Sequence, residues 1–156
     1  MPTPLAERVV ETADPAETRA IAARLAVVAC PGDLVALLGE LGAGKTEFAK
    51  GFGAGLGVTE MISSPSFVLM AEHPGRVPFF HLDLYRLDGP DVVIADGLLD
   101  EREAEGVTLV EWADRLGRAL PAARLDVRIE VLPDERRRIS VRPTDARFSR
   151  YPEALG

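Results

Sequence analysis

The chain contains no asparagine and no glutamine, only two lysines (Lys45 and Lys50) and one cysteine among its 156 residues. Without asparagine it cannot carry the N-K-x-D motif with which GTPases read guanine. Without glutamine it has no side-chain amide to orient an attacking water. A hydrolytic site in this chain would have to position water with a carboxylate or a backbone group. The single cysteine, Cys30, excludes a disulfide framework and a cysteine zinc cluster. Placed near a helix end, Cys30 is expected to be buried packing rather than a nucleophile. No apolar run approaches the roughly eighteen residues of a membrane span. The first residues lack a basic region followed by an apolar stretch, so no signal peptide is expected and the chain is placed in the cytoplasm, off the membrane. Basic residues are outnumbered, 18 against 25 acidic, for a net charge of −7. Such a surface is a poor ligand for a phosphate backbone, so direct DNA binding is not expected and any nucleic-acid role would go through a partner. The one basic cluster, Arg136-Arg137-Arg138, reads most simply as the solvated start of a strand, with a nucleotide or partner contact as the alternative.

Against this background the most informative segment is Gly39-Glu40-Leu41-Gly42-Ala43-Gly44-Lys45-Thr46, a complete G-x-x-x-x-G-K-[ST] loop. It follows the apolar run Leu34 to Leu38 and opens a helix-like stretch from Thr46 to Leu56, the strand–loop–helix context that a phosphate loop requires. The glycines let the backbone curl so that amide N–H groups face an anion, and the helix dipole adds to them. Glu40, Leu41, Gly42, Ala43, Gly44, Lys45, Thr46 and Glu47 are therefore the candidate nucleotide-binding residues. Lys45 is expected to reach the β- and γ-phosphates, and the Thr46 hydroxyl to sit on Mg²⁺.

The rest of the chain frames that loop. Asp14-Pro15-Ala16-Glu17 combines an N-cap, a proline suited to the first helical position and a capping-box glutamate. The helix it opens is expected to stop at Cys30-Pro31-Gly32. Leu34 to Leu38 has the continuous apolar character of a strand buried on both faces. Glycines 51, 53, 55 and 57 weaken the helix after the loop and end it near Leu56. Residues 67–71 and 77–84 read as a hairpin around His73-Pro74-Gly75-Arg76, and 90–105 as charged and partly helical. Val107 to Val110 is a short buried strand ending in Glu111, and Ala113 to Ala119 looks helical. Residues 125–132 and 138–142 alternate and form a last hairpin around Pro133-Asp134-Glu135. The expected architecture is a three-layer α/β P-loop NTPase domain over residues 1–142 with a mixed, mostly parallel sheet. Residues 143–156 form a weakly patterned tail expected to be loosely held.

Glu111 stands at the carboxyl end of a buried strand, where ligands bind in such sheets. It is placed either to hold the water shell of a metal or to polarise an attacking water. Trp112, next to it, reads as a large ring packing the edge of the site. His81, Asp83 and Tyr85 share one face of a strand by the period of two. That polar face reads as a lining of the nucleotide site, with a metal pair or a structural hydrogen-bond network as alternatives. Ser63 to Ser66 could be a switch loop whose hydroxyls sense a γ-phosphate or Mg²⁺.

Taken together, the P-loop, then Ser64-Pro65-Ser66-Phe67, then His81-Leu82-Asp83-Leu84-Tyr85-Arg86-Leu87, then Leu109-Val110-Glu111-Trp112 resemble the bacterial TsaE (YjeE) family in order and spacing, across roughly residues 15–140. The resemblance implies a small ATPase using ATP/ADP and Mg²⁺, required for threonylcarbamoyladenosine on tRNA and acting with the TsaB–TsaD pair. It implies Mg²⁺ held by Thr46 and Glu111, and Asp83 near the phosphates. Lys45, Asp83 and Glu111 are accordingly the candidate catalytic residues. Three positions depart from the family: Ser66 replaces a usual threonine but keeps its hydroxyl, Glu47 stands where Thr or Ser is common, and an acidic segment is altered to Asp88-Gly89-Pro90-Asp91-Val92-Val93. Two other classes remain open on the residues alone. One is a small-metabolite kinase, for which Arg86 and Arg102 could be recruited but no dense arginine lid is visible. The other is a nucleotide-binding module without turnover. The absence of asparagine generates a first test. Calorimetry is expected to show Mg²⁺-dependent binding of ADP and ATP and no preference for GDP; tight, selective GDP binding would contradict it.

Overall fold

The computed structural model describes residues 5–63, 70–85 and 105–156. Seven strands form one sheet in the order β1-β7-β6-β2-β5-β4-β3. They are β1 (Arg8–Thr12), β2 (Leu34–Leu38), β3 (Met70–His73), β4 (Phe79–Asp83), β5 (Val107–Glu111), β6 (Leu125–Val131) and β7 (Arg137–Pro143). Among the described residues the α-helices are α1 (Pro15–Val27), α2 (Lys45–Gly55) and a one-turn α3 (Arg150–Glu153). The sheet is mixed, as expected, with parallel pairing confined to its centre. Three of the six pairings, β6–β2, β2–β5 and β5–β4, are parallel, and antiparallel strands complete both edges. Ser64, Pro65, Ser66, Arg86, Arg102 and most of the helical stretch expected at 90–105 lie outside the described residues.

β2 divides the interior by the alternation of a strand. Val35 and Leu37 face a larger core built with α1 and α2, and Leu34 and Ala36 face a smaller one with Leu82, Val110 and Leu116. The second face is covered, among the described residues, by a 3-10 segment at Ala113–Ala119, broken at Gly117 (φ 52°, ψ −122°). No described helix is long and apolar enough to cross a membrane.

Local signals place the helices. The Asp14 carboxylate accepts from the Glu17 amide at 2.9 Å and Glu17 reaches back to the Ala13 amide at 2.9 Å, closing the capping box. At the other end of α1, Arg76 from the β3–β4 turn donates to the Ala26 and Ala29 carbonyls, each at 2.8 Å. A cation there satisfies orphan carbonyls and opposes the negative end of the helix dipole. The glycines of α2, expected only to weaken it, have a packing role. A Cβ on Gly51 would lie 2.1 Å from the Arg19 carbonyl oxygen, and one on Gly55 2.5 Å from that of Ala23. The two helices therefore touch backbone to backbone, which any larger residue at these positions would prevent.

Two expectations are corrected. Cys30 is exposed rather than buried, because α1 ends at Val27 and the thiol falls in the turn beyond its packed face. The tail is not loosely held. Phe148, Tyr151 and Leu155 enter the larger core, with Tyr151 fully buried. Asp33, just before β2, accepts from the Tyr151 hydroxyl at 2.6 Å, from the Cys30 amide at 2.9 Å and from the Arg150 guanidinium. The tail's three apolar residues are spaced by three and four, as on one face of a helix, and the stretch is too short for that pattern to stand out in the sequence. β1 was not anticipated; its Arg-Val-Val-Glu-Thr sequence is mostly exposed and pairs at the sheet edge with β7.

Burial, and then the hydrogen bond to Asp33, push the Tyr151 hydroxyl well above the ordinary phenol range. A raised folded-state value gives stability that is present below about pH 10 and lost as pH rises further. Tyr151→Phe is therefore expected to lower stability by about 1–2 kcal/mol at neutral pH and to flatten the alkaline loss, measured by denaturant melts from pH 7 to 11. Equal alkaline sensitivity in both proteins would rule this anchoring out.

Candidate active site

Two parallel pairings assemble the site. β2 runs beside β5 with Leu37 opposite Glu111, so the loop leaving β2 emerges beside that carboxylate. β4 runs beside the other edge of β5 with Asp83 opposite Glu111. Strand carboxyl ends thus bring Leu41, Gly42, residues 44–47, Asp83 and Glu111 to one cleft of about 500 Å³, which Tyr85 and Trp112 also line.

Gly44 caps α2 with φ 110°, a left-handed conformation that glycine adopts without the clash a Cβ would bring. The turn it makes starts the helix at Lys45 and leaves the first amides of α2 facing the cleft. Lys45 folds back on its own loop. Its Nζ donates to the Gly39 and Glu40 carbonyls at 2.6 and 2.7 Å and sits 4.1 Å from the centre of the Trp112 ring. Burial pushes the Lys45 ammonium below its ordinary pKa, a shift that Glu111, Asp83, Asp114 and Glu40 oppose with their charges.

Glu111 is 2% exposed. The Thr46 hydroxyl donates to its Oε1 at 3.2 Å, and His81 Nε2 lies 2.6 Å from its Oε2. Thr46 and Glu111, sixty-five residues apart, thus present adjacent oxygens. A hydroxyl beside a carboxylate, in a cleft that Asp83 also lines, is an oxygen donor set of the kind a hard divalent cation takes. Asp83 is also buried; its Oδ1 accepts the Tyr85 amide at 3.0 Å.

The remaining loop residues divide between two sides. Leu41 is 71% exposed at the loop tip, whereas Ala43 is buried. Glu47 turns away from the cleft toward Arg19 and Lys50, at 2.5 and 3.3 Å. Burial would raise its carboxyl, but hydrogen bonds and charge from those two partners outweigh it and hold it below the usual carboxylate range. Its backbone amide, rather than its side chain, is what it can offer to a ligand. A larger cleft of about 860 Å³ lies on the outer side of the loop, lined by Glu40, Leu41, Trp112 and Arg128 among others. It is not lined by Thr46 or Glu111.

Two residues matter more here than their sequence suggested. Trp112, expected to pack the edge of the site, holds a left-handed backbone (φ 59°, ψ 41°) and offers its ring face to Lys45. Such a conformation costs a non-glycine residue about 1–3 kcal/mol, a strain met chiefly at functional sites. Arg137, within the run read as a solvated strand start, reaches back to the loop. Its Nε donates to the Ala43 carbonyl at 2.9 Å, and an Nη to that of Gly42 at 3.4 Å. Three consecutive arginines carry no signal of which one turns inward; the register of β7 decides it.

Comparison with known proteins bears on the family and the fold. Residues 12–139 match a family model described as Threonylcarbamoyl adenosine biosynthesis protein TsaE. The tRNA threonylcarbamoyladenosine biosynthesis protein TsaE of Bacillus subtilis is 40% identical over 145 residues, covering 92% of this chain and 90% of that protein. The protein of the same name from Streptomyces coelicolor is 42% identical over 115 residues, 72% of this chain and 78% of its own length. A crystal structure of Bacillus subtilis YdiB superposes with a TM-score of 0.83 at 38% identity, covering 96% of this chain and 94% of that one.

The Arg137 brace makes a test. Arg137→Ala frees the Gly42 and Ala43 carbonyls while leaving the core intact. It is expected to lower melting only slightly, yet to weaken ADP affinity several-fold by loosening the loop. ADP affinity equal to that of the unmutated chain would show that the loop holds its shape without the arginine.

Proposed function

This chain belongs to the TsaE family, whose members take part in tRNA threonylcarbamoyladenosine biosynthesis, and from that premise we propose that it is a Mg²⁺-dependent ATPase serving that modification together with a TsaB–TsaD complex in the cytoplasm. The observation that carries the proposal is the convergence of Lys45, Thr46, Asp83 and Glu111 on one cleft at the carboxyl ends of parallel strands.

Each residue has a role in this reading. The amides of residues 42–47 receive phosphate oxygens at the start of α2. Lys45 exchanges its bonds to the Gly39 and Glu40 carbonyls for the β- and γ-phosphates. Its burial makes an unpartnered ammonium costly, and those carbonyls and the Trp112 face hold it until phosphate takes their place. Thr46 and Glu111 would hold Mg²⁺, which when bound would supply positive charge against the phosphates. Asp83 lies beside them and, with no amide side chain anywhere in the chain, it and Glu111 are the groups available to position water. The nucleoside end leaves on the Thr46–Glu47 side, toward a cleft of about 480 Å³ between the start of α1 and the β6–β7 hairpin, lined by Asp14, Thr18 and Arg137 among others.

The net charge of −7 opposes direct contact with tRNA, so tRNA is reached through the partners. A site whose lysine is held off the phosphates by its own loop is suited to slow turnover until a partner completes it.

The test is phosphate release by the chain alone and with purified TsaB–TsaD. Turnover is expected to be slow alone and faster with the pair, and complex formation to depend on nucleotide. Lys45→Ala and Thr46→Ala are expected to abolish it. Glu111→Ala and Asp83→Ala are expected to reduce it by about 10²–10⁴-fold, the usual size of a lost general-base contribution, with normal melting. Unchanged turnover in these variants, or sub-micromolar tRNA binding by the isolated chain, would refute the proposal.

A further inference from the structure

We propose that His81 is the positioning residue of the cation site: its imidazole holds the Glu111 carboxylate in the orientation that pairs it with Thr46. The proposal rests on the reading of the cleft as a Mg²⁺–nucleotide site and adds to it a residue with no contact to the ligand.

His81 lies in the middle of β4 and is fully buried. Its Nε2 is 2.6 Å from Glu111 Oε2. A carboxylate only accepts, so Nε2 carries the proton and donates. The ring is stacked on Phe79, with centroids 6.0 Å apart and planes 10° from parallel, which fixes its direction. Its other nitrogen, Nδ1, is buried without a hydrogen-bond partner among the described residues. An orphaned buried acceptor costs about 1–3 kcal/mol, so a position that needed only packing would be better filled by leucine. The histidine is explained by what Nε2 does.

That bond divides the carboxylate's two oxygens. Oε2 is engaged from the β4 side by His81, and Oε1 is the nearer partner of Thr46, at 3.2 Å against 3.5 Å for Oε2. Without the histidine the carboxylate can rotate about its terminal torsion, a soft and roughly two-fold coordinate. His81 therefore keeps Glu111 on Thr46. Groups of this kind behind metal ligands change affinity by about 10–100-fold when removed.

The experiment compares His81→Leu, His81→Asn and His81→Gln. ADP affinity is measured by calorimetry in EDTA and across a Mg²⁺ titration, with Mn²⁺ binding to the ADP complex followed by electron paramagnetic resonance. Glutamine can place its amide nitrogen near the site of Nε2; asparagine is too short. His81→Leu and His81→Asn are expected to keep wild-type ADP affinity in EDTA but to need about 10–100-fold more Mg²⁺ for half-saturation. His81→Gln is expected to recover most of that loss. If His81→Leu fails to fold, the comparison of asparagine with glutamine decides, and an equal Mg²⁺ requirement in those two overturns the proposal. Mg²⁺ dependence unchanged from wild type in all folded variants overturns the role of His81 alone. Wild-type ADP binding that is indifferent to Mg²⁺ overturns this role and the reading of the cleft together.

Discussion

The parallel alignment of β2, β5 and β4 is the constraint on which the cleft depends. Leu37 and Asp83 both stand opposite Glu111, from the two sides of β5. A strand's side chains alternate, so a slip of one residue in either pairing would turn a carboxylate from the cleft into a core. The register is held by burial on both faces: Val35 and Leu37 on one, Leu34 and Ala36 on the other, with β5 buried along its length. The apolar strands thus fix where the charged groups end. They do so without any bond between charged groups needing to be strong.

Lys45 feels the charges of Glu111, Asp83, Asp114 and Glu40, and its ammonium is depressed chiefly by burial. The Trp112 ring and the Gly39 and Glu40 carbonyls occupy the lysine meanwhile. The Trp112 ring packs the edge of the site against the smaller core, as expected, and from a strained backbone also meets Lys45.

The helices and the tail supply rigidity behind the loop. Gly51 and Gly55 let α2 lie directly on α1, and Arg19 crosses between them to Glu47. Arg137 ties the loop itself to β7. At the opposite end of β2, Asp33 gathers Tyr151, Arg150 and the Cys30 amide, so the strand that feeds the loop is anchored at its start.

The sequence alone determined the strand–loop–helix unit, the capped α1, both hairpins with their turns and the identity of Lys45, Thr46, Asp83 and Glu111 as site candidates. These are features of short range, set by apolar runs, turn residues and a loop motif whose spacing has a physical cause. Tertiary structure alone decided the rest. It decided which arginine of 136–138 turns to the loop, because that depends on the register of β7. It decided that Cys30 is exposed, because α1 ends one turn short of it. The tail is seated because Phe148, Tyr151 and Leu155 enter a core that other elements build, and β1 is a strand because β7 offers it an edge. His81 was legible as part of a polar strand face but not as the partner of Glu111. The two residues are thirty positions apart, and only the pairing of β4 with β5 brings an imidazole and a carboxylate within hydrogen-bonding distance.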